Sequence, residues 1–392
     1  MKTYSKQIGR VAAAAATLAC TSAFAQSSVT LYGAVDDALT YVSNQKGSSN
    51  VYLRQGNLYA SKFGLQGKED LGDGTTAVFD LQNGFDPNTG ALSSSGVLFN
   101  REAYVGLQNV RAGTLTAGRQ YTPYYMFVGP LTGSSWLTGA TGAHPGDIDG
   151  LDTTVRINSS LVYTSPNWGG LQASAMYALG GIAGSTGKGE TYSGALRYAS
   201  GPVSLGLGYL RMDNAQQTTG FDSASTGSFG VSALNAGYVS AKAVQHVAAA
   251  GNYTLGNLVL GLSYSNVEYQ AGAHSLFGST AVFNTYAALA VYHFTPAFDV
   301  GTGFAFTAAS KANGISDAAR YEQYSLKEAY HLSKRTTLYA LQAYQHSSGQ
   351  TLGSAGAGDI IDAAPDVGDS QDSTPSSTHG QFVSMFGIAT LF

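Results

Sequence analysis

The chain has 392 residues and a formal net charge of −4, and only 11% of its residues are charged. Soluble domains average about 25% charged residues, so the composition argues against an ordinary soluble globular protein. It holds a single cysteine, which excludes an internal disulfide framework and a zinc–thiolate site.

The first element in chain order is a Sec-type signal peptide over residues 1–25. The basic stretch "MKTYSKQIGR" precedes the uncharged "VAAAAATLAC", and "AFA" ending at Ala25 supplies a small-residue cleavage site. The uncharged stretch is too short to span a bilayer as a helix. We expect a mature chain of 26–392, with the net charge changed from −4 to −7 by loss of three basic residues. A lipoprotein beginning at Cys20 is the alternative, but "TLAC" lacks the usual leucine three residues before the cysteine.

Beyond residue 25 the sequence alternates with a period of two, which predicts β-strands. "LQASAMYAL" (171–179) and "FDVGTGFAF" (298–306) each place larger apolar residues on one face and mainly small residues on the other. A soluble sheet usually carries Lys, Glu and Thr on its second face, so small neutral residues there indicate an enclosed wet lumen. Tyrosines recur at predicted strand ends, the placement expected at a membrane–water boundary: Tyr163, Tyr177, Tyr198, Tyr209, Tyr253, Tyr264 and Tyr292.

Turn signals divide this region into sixteen strands. Seven tight turns are predicted, at 70–74, 110–113, 166–170, 200–202, 255–257, 295–299 and 332–336. Eight longer polar stretches alternate with them, at about 43–50, 85–97, 122–152, 180–190, 211–242, 266–280, 309–319 and 346–380. No stretch offers the ~20 apolar residues of a transmembrane helix. We therefore predict an all-β fold, a 16-stranded antiparallel transmembrane β-barrel without a second domain, because unpaired edges are not viable in lipid.

Several ordered blocks of sequence resemble one known family. They are "SSVTLYGAVDDALTYVSN", "SKFGLQGKEDLGDGTTAVFDLQNGF", "LFNREAYVGLQN", "LTAGRQYTP", "RINSSLVYTSPNWGG" and "LSKRTTLYALQAY". The chain resembles the Gram-negative general porins, especially the beta-proteobacterial and neisserial branch. The resemblance implies a homotrimer in the outer membrane, with the third extracellular loop, here 122–152, folded inward to constrict each barrel.

The resemblance also implies basic residues on the wall facing that loop, and Lys62, Arg101 and Arg156 match by local context. An inward orientation agrees with the cost of a lipid-facing cation, about 2–4 kcal/mol at the midplane. Lys62 stands where the family more often has arginine, and the loop lacks the family's acidic pair in its middle. Asp147 and Asp149 are the candidates for an opposing negative wall. The throat should therefore favour anions.

Three other charged features leave alternatives open. "DIDG" at 147–150 resembles part of a calcium loop, but its ligand run stops early, so we expect no metal. Alternation along the strands places Arg54 and Arg197 on the lumen face, where they either extend a basic track or are scattered charges. The 346–380 stretch is predicted to be a mobile extracellular loop, and its acids either bridge divalent ions to lipopolysaccharide or are simply solvated: Asp359, Asp362, Asp366, Asp369 and Asp372.

The last predicted strand, "QFVSMFGIATLF", closes the barrel against the first. Phe392, Ile388 and Phe386 share one face and resemble the signal that the outer-membrane assembly machinery reads. The opposite, lumen face is more apolar than the resemblance implies. Assembly machinery, periplasmic chaperones, outer-membrane lipid and lipopolysaccharide are therefore the expected macromolecular partners, besides the homotrimer.

The function predicted from these observations is a general diffusion porin that passes small hydrophilic solutes and ions, with a mild preference for anions. A substrate-specific outer-membrane channel is the alternative, and a barrel enzyme is a remote one. The seven histidines show no motif spacing, and no G-x-S-x-G, H-E-x-x-H or Walker sequence occurs. We expect no cofactor and no nucleic-acid partner.

Overall fold

The computed structural model describes residues 28–185, 187–215, 232–369 and 374–392. The predicted signal peptide and Asp372 lie outside these described residues. In chain order the strands β1 to β19 are Ser28–Gln45, Ser48–Gln55, Lys62–Gly72, Thr75–Gly84, Glu102–Asn109, Gly113–Tyr121, Arg156–Thr164, Leu171–Ala178, Thr191–Ser200, Val203–Asp213, Ala243–Leu255, Leu258–Gln270, Ala281–Thr295, Phe298–Ala309, Arg320–His331, Thr336–Ser348, Gln350–Leu352, Ile360–Asp362 and Gly380–Leu391.

Helices are short in the described part of the chain, and none of them is long and apolar enough to cross a membrane. Three α-helices follow β6: α1 (Pro123–Val128), α2 (Gly133–Trp136) and α3 (Gly139–Gly142). The 3₁₀ helices are Gly129–Leu131, Pro145–Asp147, Ala236–Tyr238 and Gly356–Gly358.

The strands form one closed antiparallel barrel, which confirms the predicted fold. β1 closes the ring by pairing with β19, where Leu39 lies opposite Phe386. On its other side β1 pairs with β2 through its C-terminal half and with β3 through its N-terminal half. Since β2 and β3 occupy a single position in the barrel, the ring has sixteen strand positions. β17 and β18 form a separate hairpin outside this sheet.

Side chains alternate across the barrel wall as the sequence predicts. On β10, Leu205 and Leu207 face outward and are 50% and 51% exposed. Gly206 and Gly208, which alternate with them along the strand, are buried inside the barrel. Because a belt of exposed apolar side chains suits hydrocarbon, this outer face is the lipid-facing one.

The seven short turns occur where the sequence predicts them, but the β1–β2 connection is shorter than expected. The stretch at about 43–50 was expected to be a longer loop, whereas the strands continue to Gln45 and resume at Ser48. Lys46 and Gly47 both have positive φ, 50° and 104°. Two such residues form a tight hairpin turn whose twist matches that of the strands, so the connection does not need a longer loop.

The lumen face of β19 is apolar because it is covered. Val383, Met385 and Ala389 are buried in one cluster with Ala140 of α3 and with Val367, which follows β18. Two loops therefore pack on this wall, so that its apolar side chains do not meet water.

Candidate functional site

The segment between β6 and β7 folds inside the barrel and follows the inner wall from β8 to β16. α1 packs against β9 and β10, and the backbone N–H of Tyr124 donates to Ser193 Oγ at 3.1 Å. A Cβ atom at Gly206 would lie 2.5 Å from the carbonyl oxygen of Phe127. Small residues on the inner wall are therefore what lets the loop approach so closely.

The predicted loop acids Asp147 and Asp149 are both buried. Asp149 Oδ2 lies 2.6 Å from His144 Nδ1 and also accepts from Ser265 of β12. His246 of β11 contacts the Asp149 carbonyl oxygen through Nδ1 at 2.7 Å. These contacts fasten the loop to the wall. A role of either acid as a negative wall of the throat stays a prediction.

The two carboxyls have opposite electrostatic environments. Burial opposes ionisation of Asp149, but the charge and hydrogen bond of His144 and the bond from Ser265 outweigh it, which lowers the pKa of Asp149. Burial and the nearby Asp152 raise the pKa of Asp147 well above its ordinary value. Asp149 is thus the ionised anchor of the loop.

The predicted cations Lys62, Arg101 and Arg156 are brought together beside the start of this loop. Arg101 Nη2 and Arg156 Nη2 donate to the same hydroxyl, that of Tyr121, at 2.7 and 3.2 Å. Arg101 Nε also donates to Gln82 Oε1 at 2.7 Å, which fixes the guanidinium plane. Lys62 lies close enough for the charges of both arginines to act on it. Three positive charges thus share one site on the wall opposite the loop.

Two acids of the same wall reduce the net charge of this site. Asp80 and Glu102 both act electrostatically on Lys62. Asp80 Oδ1 is already engaged, because Tyr32 OH donates to it at 2.6 Å. Three cations beside two acids produce a modest positive field, which is the physical reason to expect a mild selectivity.

A second loop enters the barrel and packs against the first. Residues 363–369, part of the stretch that was predicted to be mobile, are largely buried. Gly368 N–H donates to Gln323 Oε1 and Asp366 N–H to Gln345 Oε1, at 2.9 and 2.8 Å. Asp369 N–H donates to the Gly139 carbonyl at 3.1 Å. Both loops therefore occupy the lumen and pack against each other on the wall formed by β15 and β16. Mobility of the rest of 346–380 stays a prediction.

Arg54 and Arg197, the two other arginines predicted to face the lumen, have different environments. Arg54 is buried and its Nη2 lies 3.2 Å from Asp369 Oδ1. Arg197 is exposed, donates to Gln172 and stacks over the ring of Phe127 at 4.9 Å from its centroid. Arg54 therefore joins β2 of the barrel wall to the second loop, and its charge is largely compensated.

A carboxyl pair links the two loops. Asp152 and Asp369 share a side-chain hydrogen bond, and burial together with the charge of Asp369 raises the pKa of Asp152 to about 7. A carboxyl pair bonded in this way must hold a proton.

We expect the contact between the loops to weaken as pH rises. A raised folded-state pKa gives stability that is complete below the unfolded value, about 4, and is lost by about pH 7 and above. Asp152→Asn keeps a neutral group there at every pH, so its thermal unfolding temperature should exceed that of the wild type increasingly from pH 5 to 8. Asp86→Asn, in an exposed loop, is the control. Parallel pH profiles of wild type and Asp152→Asn would contradict this.

Comparison with known proteins decides the family of this barrel. Residues 12–350 match the sequence profile of the Gram-negative porin family. The chain belongs to that family. It is 27% identical to an outer-membrane porin of Bordetella pertussis, over 82% of this chain and 90% of the relative. It is 28% identical to the major outer-membrane protein P.IB of Neisseria gonorrhoeae, over 90% and 97%.

Solved porin structures share the fold. An anion-selective porin from Comamonas acidovorans superposes with a TM-score of 0.68 at 24% identity, over 94% of this chain and all of that one. The porin described here is accordingly an outer-membrane protein, as the sequence predicts.

Sequence reasoning missed several residues of the site. Tyr121, which joins the two arginines, stands in the quoted block "LTAGRQYTP", but a tyrosine there carries no sign of its role. Asp152 is the last acid of the predicted loop and was assigned no role, and Asp369 was one of five acids in a polar stretch. Their pairing spans 217 positions, so no local pattern could reveal it.

Proposed function

We propose that this porin is a general diffusion channel for small hydrophilic solutes and ions, with a mild preference for anions. The observation that supports it best is the cluster of Lys62, Arg101 and Arg156 opposite an inward-folded loop. Cations that line a narrow aqueous path raise the local concentration of anions and lower that of cations. The similar porin from Comamonas acidovorans is described as anion-selective, which agrees with this assignment.

The loop that narrows the channel is held rigidly enough to act as a size filter. Its anchors come from several strands, including β9, β11, β12 and β15. We take residues 122–155 as the constriction loop, slightly longer than the predicted 122–152, because β7 begins at Arg156.

We further propose that the porin catalyses nothing. His144 does bridge Asp149 and Ser263, with Nδ1 2.6 Å from Asp149 Oδ2 and Nε2 3.3 Å from Ser263 Oγ, an arrangement that resembles a catalytic triad. However, His144 is 3% exposed and Asp149 is fully buried behind the loop. The histidine of a triad must also reach the substrate to exchange a proton with it, so the burial of His144 favours a loop anchor.

The assembly that we propose is a homotrimer in contact with outer-membrane lipid and lipopolysaccharide. One solved relative from Vibrio cholerae, with a TM-score of 0.62 at 14% identity, is described as a trimer form. The barrel assembly machinery and periplasmic chaperones are the other proposed partners.

Recordings in planar bilayers test the proposed function. The purified protein should give ohmic conductance steps, and the reversal potential in a potassium chloride gradient should have the sign of chloride preference. Folded protein that never conducts would refute the channel, and a cation-preferring reversal potential would refute the selectivity.

Replacement of Phe392 by alanine should impair assembly more than conductance. Phe392 and Gly33 exchange two backbone hydrogen bonds, at 3.0 and 3.1 Å, and the phenyl ring covers Gly33. The ring faces away from the lumen, so channels that do assemble should conduct normally. The yield of heat-modifiable barrel on SDS gels measures assembly. The control is Phe382→Ala, which removes an aromatic ring from the same face of β19. Equal yields for the two variants would contradict an assembly role.

A further inference from the structure

The barrel wall is interrupted on the periplasmic side of the throat, between β2 and β3. Residues 56–61 leave the sheet there and turn into the lumen, where Asp36 of β1 holds them. The backbone N–H groups of Leu58 and Tyr59 both donate to Asp36 Oδ2, and Tyr339 OH donates to its other oxygen. Asp36 is fully buried. The interruption is thus a fixed piece of structure that places Tyr59 inside the barrel.

Tyr59 reaches a cavity of about 320 Å³ at the periplasmic mouth. The far side of the cavity is formed by the β15–β16 turn with Lys334 and Arg335, together with Thr337 and His331. A volume near 300 Å³ is at the small end of ligand sites, which suits a small organic or inorganic ion.

The cavity has a clear positive bias. Lys334 and Arg335 are exposed and form no ion pair within the described ranges. Two acids act electrostatically on Tyr59, and both are already engaged. Asp299 lies 3.3 Å from Lys327 and 2.8 Å from His331, and Asp36 accepts from Leu58, Tyr59 and Tyr339. An arginine fork and an ammonium group on one turn match the geometry and charge of a carboxylate or phosphate.

We propose that this cavity is an anion-binding subsite at the periplasmic mouth, for small solutes that carry a carboxylate or phosphate group. Lys334 and Arg335 supply the charged contacts, and the Tyr59 hydroxyl supplies a hydrogen bond from the opposite side. The subsite rests on the proposed function, since its ligand uses the same channel, but it lies on a different part of the wall from Lys62, Arg101 and Arg156.

Current block by added anions tests the subsite. Succinate or inorganic phosphate is added to one side of a bilayer that holds single channels in potassium chloride. Block of the wild type should be stronger from the periplasmic side. Lys334→Gln/Arg335→Gln should weaken that block about tenfold, the loss expected from two exposed charges. Tyr59→Phe should weaken it less. The two probes tell whether the site prefers carboxylate or phosphate.

Lys46→Gln/Lys311→Gln removes the same charge from an exposed turn and an exposed loop at the other end of the barrel and should leave the block unchanged. Normal conductance in potassium chloride shows that each variant is folded. If the channel conducts with anion preference but the block is the same in wild type and Lys334→Gln/Arg335→Gln, the subsite is refuted while the proposed function stands. If the wild type does not conduct at all, the proposed function itself fails.

Discussion

Neutralising Lys62, Arg101 and Arg156 together by glutamine is expected to abolish the anion preference and to shift the reversal potential in a salt gradient towards cations. The three charges share one part of the wall, where the two arginines bind a single tyrosine hydroxyl. Asp80 and Glu102 remain there after the substitution, so the local charge changes sign. With partial screening, the chloride-to-potassium permeability ratio should fall about tenfold.

Two further variants separate charge from structure in this experiment. Arg111→Gln/Lys188→Gln/Lys311→Gln removes three exposed cations elsewhere and should leave the reversal potential nearly unchanged. Arg101→Lys/Arg156→Lys keeps the charge but loses the planar fork, so it should retain most of the selectivity. If the triple glutamine variant behaves like the distant control, the cluster does not set selectivity.

Asp149→Ala is expected to release the constriction loop from the wall. The substitution removes the acceptor of His144 and Ser265 in a fully buried site. Hydrogen bonds to a charged group contribute about 1.5–3 kcal/mol each, so the loss is large for one loop. Single channels should become noisier and conduct more, because the loop no longer holds one position.

The conservative variant makes this result interpretable. Asp149→Asn keeps a carbonyl oxygen at the site and should disturb the current less than alanine does. Asp86→Ala, a half-buried acid in another loop, controls for the loss of charge. Quiet channels of unchanged conductance in Asp149→Ala would show that the loop does not depend on this anchor.

The barrel was predictable from the sequence because its determinants are local. Alternation such as "VSLGLGY" assigns each side chain to lipid or lumen, and turn residues count the strands. The cluster of Lys62, Arg101 and Arg156 was predicted on the wall facing the loop because the sequence around each residue resembles that of the porin family and a lipid-facing cation would be costly. The prediction of a longer loop between β1 and β2 was wrong. The polar residues around Lys46 belong to the two strands of a tight hairpin.

The small residues of the lumen face show most clearly where local inference ends. Their composition suggested a wet surface, whereas Gly206 and Gly301 lie directly under the loop, with a Cβ at Gly301 2.7 Å from Leu137. The sequence by itself determined the closed barrel and the side of each strand residue, because these follow from period-two alternation and the cost of charge in lipid. Only the tertiary structure decided which loops enter, that Asp149 anchors one of them, and that Asp152 meets Asp369. Those contacts join residues far apart in the chain, and their energy comes from burial that exists only once the ring is closed.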